Sequence, residues 1–290
     1  MNSPTDQSSA AASEDVLLTD VTDSIATLTL NRPDARNALS EPLLLALSAQ
    51  LDSIAADRTI TAVIIAGSSP AFCAGHDLRE MTAARQSEDN GRAAYEHLFA
   101  LCSDVMQKII ALPQPVIAAV EGIATAAGCQ LVATCDLAVA GKDARFATPG
   151  VHIGLFCSTP MVALSRNLSR KHAMEMLLTG DLIGAEDAAR MGLINQAVEP
   201  GTALSGAREI AEKIASKAPA VTAIGKRAFY RQAELPLSEA YDYASRVMSE
   251  NMMLASAREG IGAFVEKRTP DWPEEKPDAV SIADKKDAGE

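Results

Sequence analysis

The sequence predicts an α/β fold that ends in an all-helical region. Two short apolar runs, 62–66 and 115–120, are typical of strands that are buried on both faces of a sheet. Stretches with apolar residues at helical spacing, such as 92–110, alternate with these runs. From Met161 onwards the pattern is mainly helical. Strands that alternate with helices and then give way to helices alone indicate an α/β core followed by a helical C-terminal region.

Local signals predict each element in turn. Residues 16–18 and 25–30 have the composition of strands, and the second run alternates with period two. Ser40 is a favourable N-cap with Pro42 in the first turn, which predicts a helix that runs to Ile54. The remaining elements are predicted at 62–66, 92–110, 115–120, 129–134, 137–140, 170–179, 185–191, 203–217, 220–233, 237–256 and 258–267.

The 290 residues are predicted to form four consecutive segments. These are a disordered tail at 1–15, a core at 16–200, a helical region at 201–270 and an acidic tail at 271–290. The formal net charge is −12, of which the two tails hold −3 and −4, so residues 16–270 carry only −5. The acidity therefore belongs largely to the ends, and it leaves the core free to bind an anionic small molecule.

Composition excludes several classes of function. An acidic chain does not suit a nucleic-acid partner, which needs a basic face. No apolar run reaches the roughly 18 residues that span a membrane, and the four histidines show no metal-ligand spacing. Five cysteines without a paired spacing favour reduced thiols. Because residues 1–15 also lack the Arg of a transit peptide, the sequence predicts a cytoplasmic protein without nucleic-acid, membrane or metal partners.

Two segments, 72–78 and 121–130, place small residues where a strand turns into a helix. Glycine and alanine let a ligand approach the backbone closely. A helix N-terminus offers unpaired N–H groups and the positive end of the helix dipole. Two such turns that face each other would stabilise the negative charge that a thioester carbonyl oxygen gains during a reaction.

A set of motifs resembles the crotonase (enoyl-CoA hydratase/isomerase) superfamily, in the family's order. They are NRPDARNAL at 31–39, FCAGHDL at 72–78, AAGCQL at 126–131, TGD at 179–181, AARMGLI at 188–194 and EGIGAFVEKR at 259–268. The resemblance extends over about residues 16–270. Residues 146–151 and 154–160 resemble one branch of this family in particular.

The resemblance implies a crotonase spiral of ββα turns and a helical C-terminal trimerisation region, hence a homotrimer or hexamer. It implies a coenzyme A thioester as substrate and no separate cofactor. The backbone N–H groups of His76 and Ala127 would form an oxyanion hole, with Gln130 as the third catalytic position. The residues implied to bind the thioester are Arg36, Ala38, Ala74, Gly75, Asp77, Leu78, Arg79, Gly128, Pro149, Gly150, Cys157, Ser158, Phe264 and Lys267, the last two reaching a neighbouring subunit.

The sequence departs from the family where the family does its acid–base chemistry. The two glutamates of family hydratases correspond here to Gln130 and Gly150, and the acid of some isomerases corresponds to Ser158. An amide cannot take up a proton at neutral pH, and a glycine has no side chain. Since each general acid or base contributes about 10²–10⁴ in rate, ordinary hydration by two glutamates is not expected.

Other acids lie near these positions in the sequence. Glu80 and Glu121 are hypotheses for a displaced base. Asp77 and Asp136 are predicted to be structural, because each precedes apolar residues at a turn and can accept backbone N–H groups.

The remaining candidates are His76, His152 and Cys157. The favoured hypothesis is a lyase or isomerase of acyl-CoA metabolism that stabilises a thioester enolate. The alternatives are an acyl-CoA binding pseudoenzyme and a decarboxylase of the methylmalonyl-CoA type, since loss of CO₂ leaves no proton to abstract. RNA binding, known for one branch, is disfavoured by the acidic charge.

Overall fold

The computed structural model describes residues 15–275; residues 1–14 of the tail predicted at 1–15 and residues 276–290 of the tail predicted at 271–290 lie outside this range. The strands are β1 (Leu17–Thr22), β2 (Ile25–Leu30), β3 (Ala62–Gly67), β4 (Val116–Val120), β5 (Ile123–Thr125), β6 (Leu137–Gly141), β7 (Arg145–Ala147), β8 (Ile183–Gly184) and β9 (Gln196–Val198). The helices are α1 (Glu41–Ala56), α2 (Leu78–Ala84), α3 (Arg92–Ala111), α4 (Ala127–Thr134), α5 (Pro160–Asn167), α6 (Arg170–Thr179), α7 (Ala185–Met191), α8 (Ala203–Ala215), α9 (Pro219–Ala233), α10 (Leu237–Met252) and α11 (Ala255–Glu266).

Two sheets lie at the centre of the fold. The larger has the order β1-β2-β3-β4-β6-β9, and within it β1 and β2 pair antiparallel whereas the other neighbours are parallel. The smaller has the order β5-β7-β8. Successive turns of the chain thus contribute strands to both sheets, as β4, β6 and β9 do to the first and β5 and β7 to the second. The predicted α/β class is confirmed.

Helices cover both faces of the large sheet. On one face, α1 and α3 bury leucine and isoleucine side chains against the strands. On the other face, α8 presents Ala207 and Ala211 to Ile64, Ile117 and Val139. Because alanine side chains are short, α8 lies close to the sheet. The first helix of the predicted C-terminal region is therefore a structural layer of the core.

Several predicted elements coincide with the observed ones. The strand at 25–30 is confirmed, and so is the helix after Ser40, whose hydroxyl accepts a hydrogen bond from the Leu43 N–H at 3.4 Å. α4 begins at Ala127, two residues before the predicted start. Sequence patterns did not predict α2, α5, β5, β7, β8 or β9, most of which are too short for a periodic signal.

The end of the described chain packs back on the helical region. The Trp272 indole donates to the Ser216 carbonyl at 2.9 Å. The Glu275 carboxylate accepts from the Ser256 N–H and hydroxyl, each at 2.7 Å, in the first turn of α11. Residues 271–275 form no helix, and these contacts hold them against the helical region.

Candidate functional site

Two backbone segments, 36–39 and 73–77, are hydrogen-bonded side by side. The Ala74 N–H donates to the Arg36 carbonyl at 3.0 Å, and the Leu39 N–H donates to the Gly75 carbonyl at 2.7 Å. Arg36 lies in the left-handed region at φ 50°. The structure therefore joins the segment that holds Arg36 and Ala38, two residues implied to bind the thioester, to the first predicted oxyanion turn.

The second predicted turn runs parallel to the first. The Cys73 N–H donates to the Ile123 carbonyl at 3.0 Å, the Thr125 N–H donates to the Cys73 carbonyl at 2.9 Å, and Cys73 pairs with Ala124. The Thr125 hydroxyl donates to the Ala74 carbonyl, which is 51 residues earlier in the chain. The same offset of 51 residues, which also separates Cys73 from Ala124, carries His76 to the level of Ala127. The two predicted oxyanion residues thus follow this short bridge on neighbouring turns, and a Cβ on Gly75, which precedes His76, would lie 3.5 Å from the Ala127 nitrogen.

Two glycines allow these turns to approach each other. A Cβ at Gly128 would lie 2.1 Å from the Cys73 carbonyl oxygen, so no larger residue fits there. Gly75 has φ +97°, and a Cβ there would lie 2.9 Å from the Ala126 Cβ and 3.5 Å from the Ala127 nitrogen. Both glycines are required by the contact between the turns, whatever ligand lies beside them.

The N–H groups of His76 and Ala127 are both free. Neither donates a hydrogen bond to an acceptor within residues 15–275. Ala127 is the first residue of α4, where an N–H has no partner inside the helix. One residue at this turn has an unusual backbone conformation, with φ 51° and ψ −117°. It is the preceding residue, Ala126, and not Ala127. Alanine in place of the family's glycine is therefore tolerated at position 127.

Buried polar atoms of the His76 and Gln130 side chains lack a hydrogen bond of good geometry. Within the described chain, seven buried side-chain polar atoms lack a hydrogen-bond partner, and three of them are His76 Nδ1, His76 Nε2 and Gln130 Oε1. The His76 ring packs edge-to-face on Phe99 of α3 at a centroid distance of 5.5 Å. Burial lowers the pKa of His76 below its ordinary value of 6.5, and a weaker contact of the ring with the Leu39 backbone opposes this shift, so the ring is neutral at neutral pH.

Position 150 offers no room for a catalytic side chain. A Cβ at Gly150 would lie 2.9 Å from the Cys157 Sγ and 2.9 Å from the Leu155 carbonyl oxygen. Gly150 lies in a short 3₁₀ helix, Pro149–Ile153, close to the second turn because the Ala126 N–H donates to the Ala147 carbonyl at 2.9 Å. Cys157 thus occupies the space beside Gly150, and burial raises the pKa of that thiol.

The two acids considered as displaced bases are engaged elsewhere. The Glu80 carboxylate accepts from the Glu41 N–H at 3.0 Å, in the first turn of α1. The Glu121 carboxylate accepts from the Ala203 N–H at 2.8 Å, in the first turn of α8. Both carboxylates cap helices, which is the usual role of an acid at a helix N-terminus.

The other polar candidates also have partners. Asp77 accepts from the Arg79 N–H at 3.0 Å and forms an ion pair with Arg32 at 2.9 Å. Asp136 accepts from the Val116 N–H at 2.7 Å. His152 is exposed, and its Nε2 donates to the Thr179 carbonyl at 2.8 Å. His76 is thus the titratable side chain at the paired turns, within residues 15–275, whose ring nitrogens form no hydrogen bond of good geometry, and its one polar contact is with the Leu39 backbone.

Some predicted binding residues are not brought to the paired turns within a single chain. Leu78 and Arg79 open α2 beside the first turn and are exposed. Ser158 is exposed, and its hydroxyl donates to the Phe156 carbonyl. Phe264 and Lys267 lie at the end of α11, where Phe264 is 84% exposed and Lys267 has φ 56°. The roles that the family implies for them remain predictions.

Residues that the sequence analysis did not single out hold the site together. Asn37 is fully buried, and its amide donates to the Ser68 and Ala71 carbonyls at 2.7 and 2.6 Å. Arg32 donates to the Ala38 carbonyl at 2.6 Å and pairs with Asp77. The polar motif at 31–39 is the sequence signal that could have identified these two residues. Asn37 adopts φ 54°, a conformation that asparagine tolerates better than most residues.

A cleft of about 920 Å³ opens beside α4. Its walls come from α3, α4, α5 and α9, and Gln130 is the predicted catalytic residue that lines it. A second cleft, of about 560 Å³, lies between residues 57–61 and the segment 272–275 and contains none of the predicted site residues.

Comparison with known proteins agrees with this geometry. The family model described as "Enoyl-CoA hydratase/isomerase" matches residues 20–275. The chain belongs to this family. Its fold is the predicted crotonase fold, since the crystal structure of an enoyl-CoA hydratase from Mycobacterium smegmatis is 53% identical with a TM-score of 0.85, covering 89% of this chain and 99% of that one.

The predicted branch of the family is also confirmed. Enoyl-CoA hydratase domain-containing protein 3 of Rattus norvegicus is 46% identical over 250 residues, which are 86% of this chain and 82% of that protein. The crystal structure of the human protein of that name is 42% identical with a TM-score of 0.84 and covers 89% of this chain and all of that one.

These relatives correct one prediction. The rat, mouse, frog and human proteins are named as mitochondrial, which points away from the predicted cytoplasmic location. The prediction was wrong because reduced cysteines fit any reducing compartment. Between residues 15 and 275 no helix has the length and apolar character to cross a membrane, and no cluster of three His, Cys, Asp or Glu side chains could hold a metal ion.

Proposed function

We propose that the protein binds an acyl-CoA thioester and stabilises its enolate with the backbone N–H groups of His76 and Ala127. The observation that carries this proposal is the pairing of two free N–H groups at neighbouring turns. A donor of this kind contributes most when it is fixed in advance and shielded from water. Membership of the enoyl-CoA hydratase/isomerase family supports a CoA thioester as the ligand.

The acid–base group in this proposal is His76. Its ring nitrogens are buried, its ring is neutral, and its only polar contact is with the Leu39 backbone, so a ring nitrogen can accept a proton. In the step, the C–H bond at Cα breaks, the proton moves to the imidazole, and the electron pair passes to the carbonyl oxygen. That oxygen is then held by the N–H groups of His76 and Ala127. Gln130 orients the acyl group or a water molecule through its amide.

A second candidate function is decarboxylation of an acyl-CoA that carries a carboxylate on Cα. The observation that favours it is the engagement of Asp77, Glu80, Glu121 and Asp136 in caps and ion pairs, which leaves no free carboxylate at the turns among the described residues. Breaking the C–C bond releases CO₂ and sends the electron pair to the same carbonyl oxygen. No base is needed for this step.

We also propose a homotrimer or a hexamer as the assembled form. Large apolar side chains are exposed on α10 and α11, among them Leu237 at 76%, Phe264 at 84% and Val265 at 72%. Exposed apolar surface of this kind is typical of protein interfaces. Light scattering after size-exclusion chromatography should give three or six copies, and a monomer would contradict this part.

The experiment for the main proposal is proton exchange at Cα of butyryl-CoA in D₂O, followed by NMR. Exchange reports enolate formation whatever reaction follows it. We expect catalysed exchange by the wild type and a loss of at least about 100-fold in His76→Gln. Methylmalonyl-CoA with CO₂ detection tests the second candidate. Binding of butyryl-CoA without exchange, and without decarboxylation of methylmalonyl-CoA, would indicate a pseudoenzyme.

A further inference from the structure

The 560 Å³ cleft lies at the end of the large sheet that is remote from the paired turns. Two of its lining residues, Thr61 and Gln114, come just before β3 and β4, whereas the paired turns come after the other ends of these strands. Because β3 is six residues long, about 20 Å of sheet separates the cleft from the turns. Ligand pockets usually hold about 300–1,000 Å³, so the cleft has room for a small molecule of its own.

Gln114 brings a buried acceptor without a donor to this cleft. The residue is only 6% exposed, and its amide nitrogen donates to the Ile54 and Asp57 carbonyls at 2.9 and 3.1 Å. Its amide oxygen accepts no hydrogen bond within residues 15–275. A buried oxygen of this kind is costly unless a group donates to it. An N–H group of a ligand in the cleft is the donor that this oxygen lacks.

The other polar side chains of the cleft also offer acceptors. Four of them use their O–H or N–H protons within the protein: Thr59 donates to the Asp57 carboxylate at 2.7 Å, Thr61 to the Ser24 carbonyl at 3.1 Å, Thr222 to the Pro219 carbonyl at 2.9 Å and Trp272 to the Ser216 carbonyl at 2.9 Å. A hydroxyl that donates its proton keeps the lone pairs of its oxygen as acceptors. Among the described lining residues, Arg58 is the one whose side chain has N–H groups to spare.

The cleft is negatively charged. Its described walls carry the carboxylates of Asp57, Glu274 and Glu275 and the guanidinium of Arg58, which gives a net charge of −2. Trp272 is half-buried and also lines the cleft. The π-electrons of an indole attract cations, and carboxylates form their strongest hydrogen bonds with charged N–H donors. Charge, aromatic ring and acceptors together favour a cationic ligand that carries N–H groups.

We propose that this cleft binds a small organic cation with several N–H groups, of the alkylammonium or guanidinium class. The three carboxylates and the Trp272 ring attract its positive charge, and one of its N–H groups donates to the Gln114 oxygen. The cleft contains none of the residues of the thioester proposal, so this inference goes beyond it. Because the walls come from residues 57–61 and from 272–275, a bound cation also holds these two segments together.

Trp272 is the sole tryptophan of the sequence, so its fluorescence reports on the cleft directly. Titration of the full chain with agmatine, at constant ionic strength, should give a saturable fluorescence change with a Kd of about 1 mM or below. The melting temperature should rise with the agmatine concentration, because the cation binds the folded chain. Tetramethylammonium has the charge but no N–H group, and it should bind at least about fivefold more weakly.

Charge variants test which groups hold the cation. Glu274→Gln should weaken agmatine binding by about two- to fivefold, and Arg58→Gln should strengthen it by a similar factor. The matched control is Glu250→Gln, at an exposed position of α10 that does not line the cleft, and it should keep the wild-type affinity. The inference is overturned if agmatine gives no saturable response in either measurement, if tetramethylammonium binds as tightly, or if Glu274→Gln and Glu250→Gln behave alike.

Discussion

The Cys157 thiol occupies the space into which a side chain at Gly150 would extend. A Cβ at Gly150 would lie 2.9 Å from the Cys157 Sγ. Since overpacking of a buried site costs about 1–3 kcal/mol, Gly150→Ala should lower the free energy of unfolding by that amount. Chemical denaturation measures this change. Cys157→Ala in the same background should recover part of the loss, and an unchanged stability of Gly150→Ala would show that the space is open.

Glu121 is expected to act as a helix cap and not as a base. Its carboxylate accepts from the Ala203 N–H at 2.8 Å. Glu121→Ala should cost about 1 kcal/mol in the free energy of unfolding and leave thioester turnover within twofold of the wild type. Glu121→Gln keeps the acceptor and serves as the control. A catalytic base would instead lose about 10²–10⁴ in rate in both variants, which would contradict the assignment.

The buried Lys226–Asp136 pair should contribute strongly to stability. Lys226 donates to the Ile109 and Gln114 carbonyls at 2.8 and 3.0 Å as well as to Asp136, so all three of its N–H groups are used. Lys226→Met leaves buried acceptors unpaired, and denaturation should show a loss of roughly 3–5 kcal/mol.

The control for that substitution is Lys142→Met, which removes the exposed Lys142–Glu199 pair. Denaturation of this variant should show a change below about 1 kcal/mol. Equal losses from the two lysines would contradict the structural role of the buried one.

The neutral His76 ring makes stability depend on pH. Burial holds its pKa below 6.5, so between that lowered value and 6.5 the unfolded chain binds more protons than the folded one. The free energy of unfolding should therefore fall as the pH drops below about 6.5, by at most about 1.4 kcal/mol per pH unit from this group. Denaturation at several pH values should show this component in the wild type and not in His76→Leu. A parallel pH dependence of the two proteins would contradict a lowered pKa.

Much of the fold could be predicted from the sequence because its elements have local signals. The Ser40 cap and the apolar run 62–66 correspond directly to α1 and β3. The expected approach of His76 to Ala127 depends instead on a three-residue strand, β5, which carries the bridge from Ala124 to Cys73 and whose register no periodic pattern specifies. The resemblance to the family supplied that pairing, and the residues alone did not.

The roles of the acids could not be predicted from sequence distance. Glu121 is six residues before Ala127, yet its carboxylate binds the N-terminus of α8, 82 residues later in the chain. Gly150 could be identified as a missing carboxylate, but its contact with Cys157 required the three-dimensional structure. Long-range contacts of this kind determine which polar groups remain free, and therefore where the chemistry can occur.

The central claim is that the Ala127 N–H stabilises a thioester enolate. Ala127→Pro removes this N–H at the first position of α4, a position that proline favours in helices. Because the backbone of Ala126, at φ 51° and ψ −117°, does not suit an alanine before proline, Ala126→Gly is the common background of the variant and its control. Ala127→Gly keeps the N–H and serves as the matched control. In the Cα exchange assay with butyryl-CoA, Ala127→Pro should lose about 10²–10³ in rate, while Ala127→Gly stays near the wild type and both bind the thioester. Exchange by a folded Ala127→Pro protein at the wild-type rate would contradict the account.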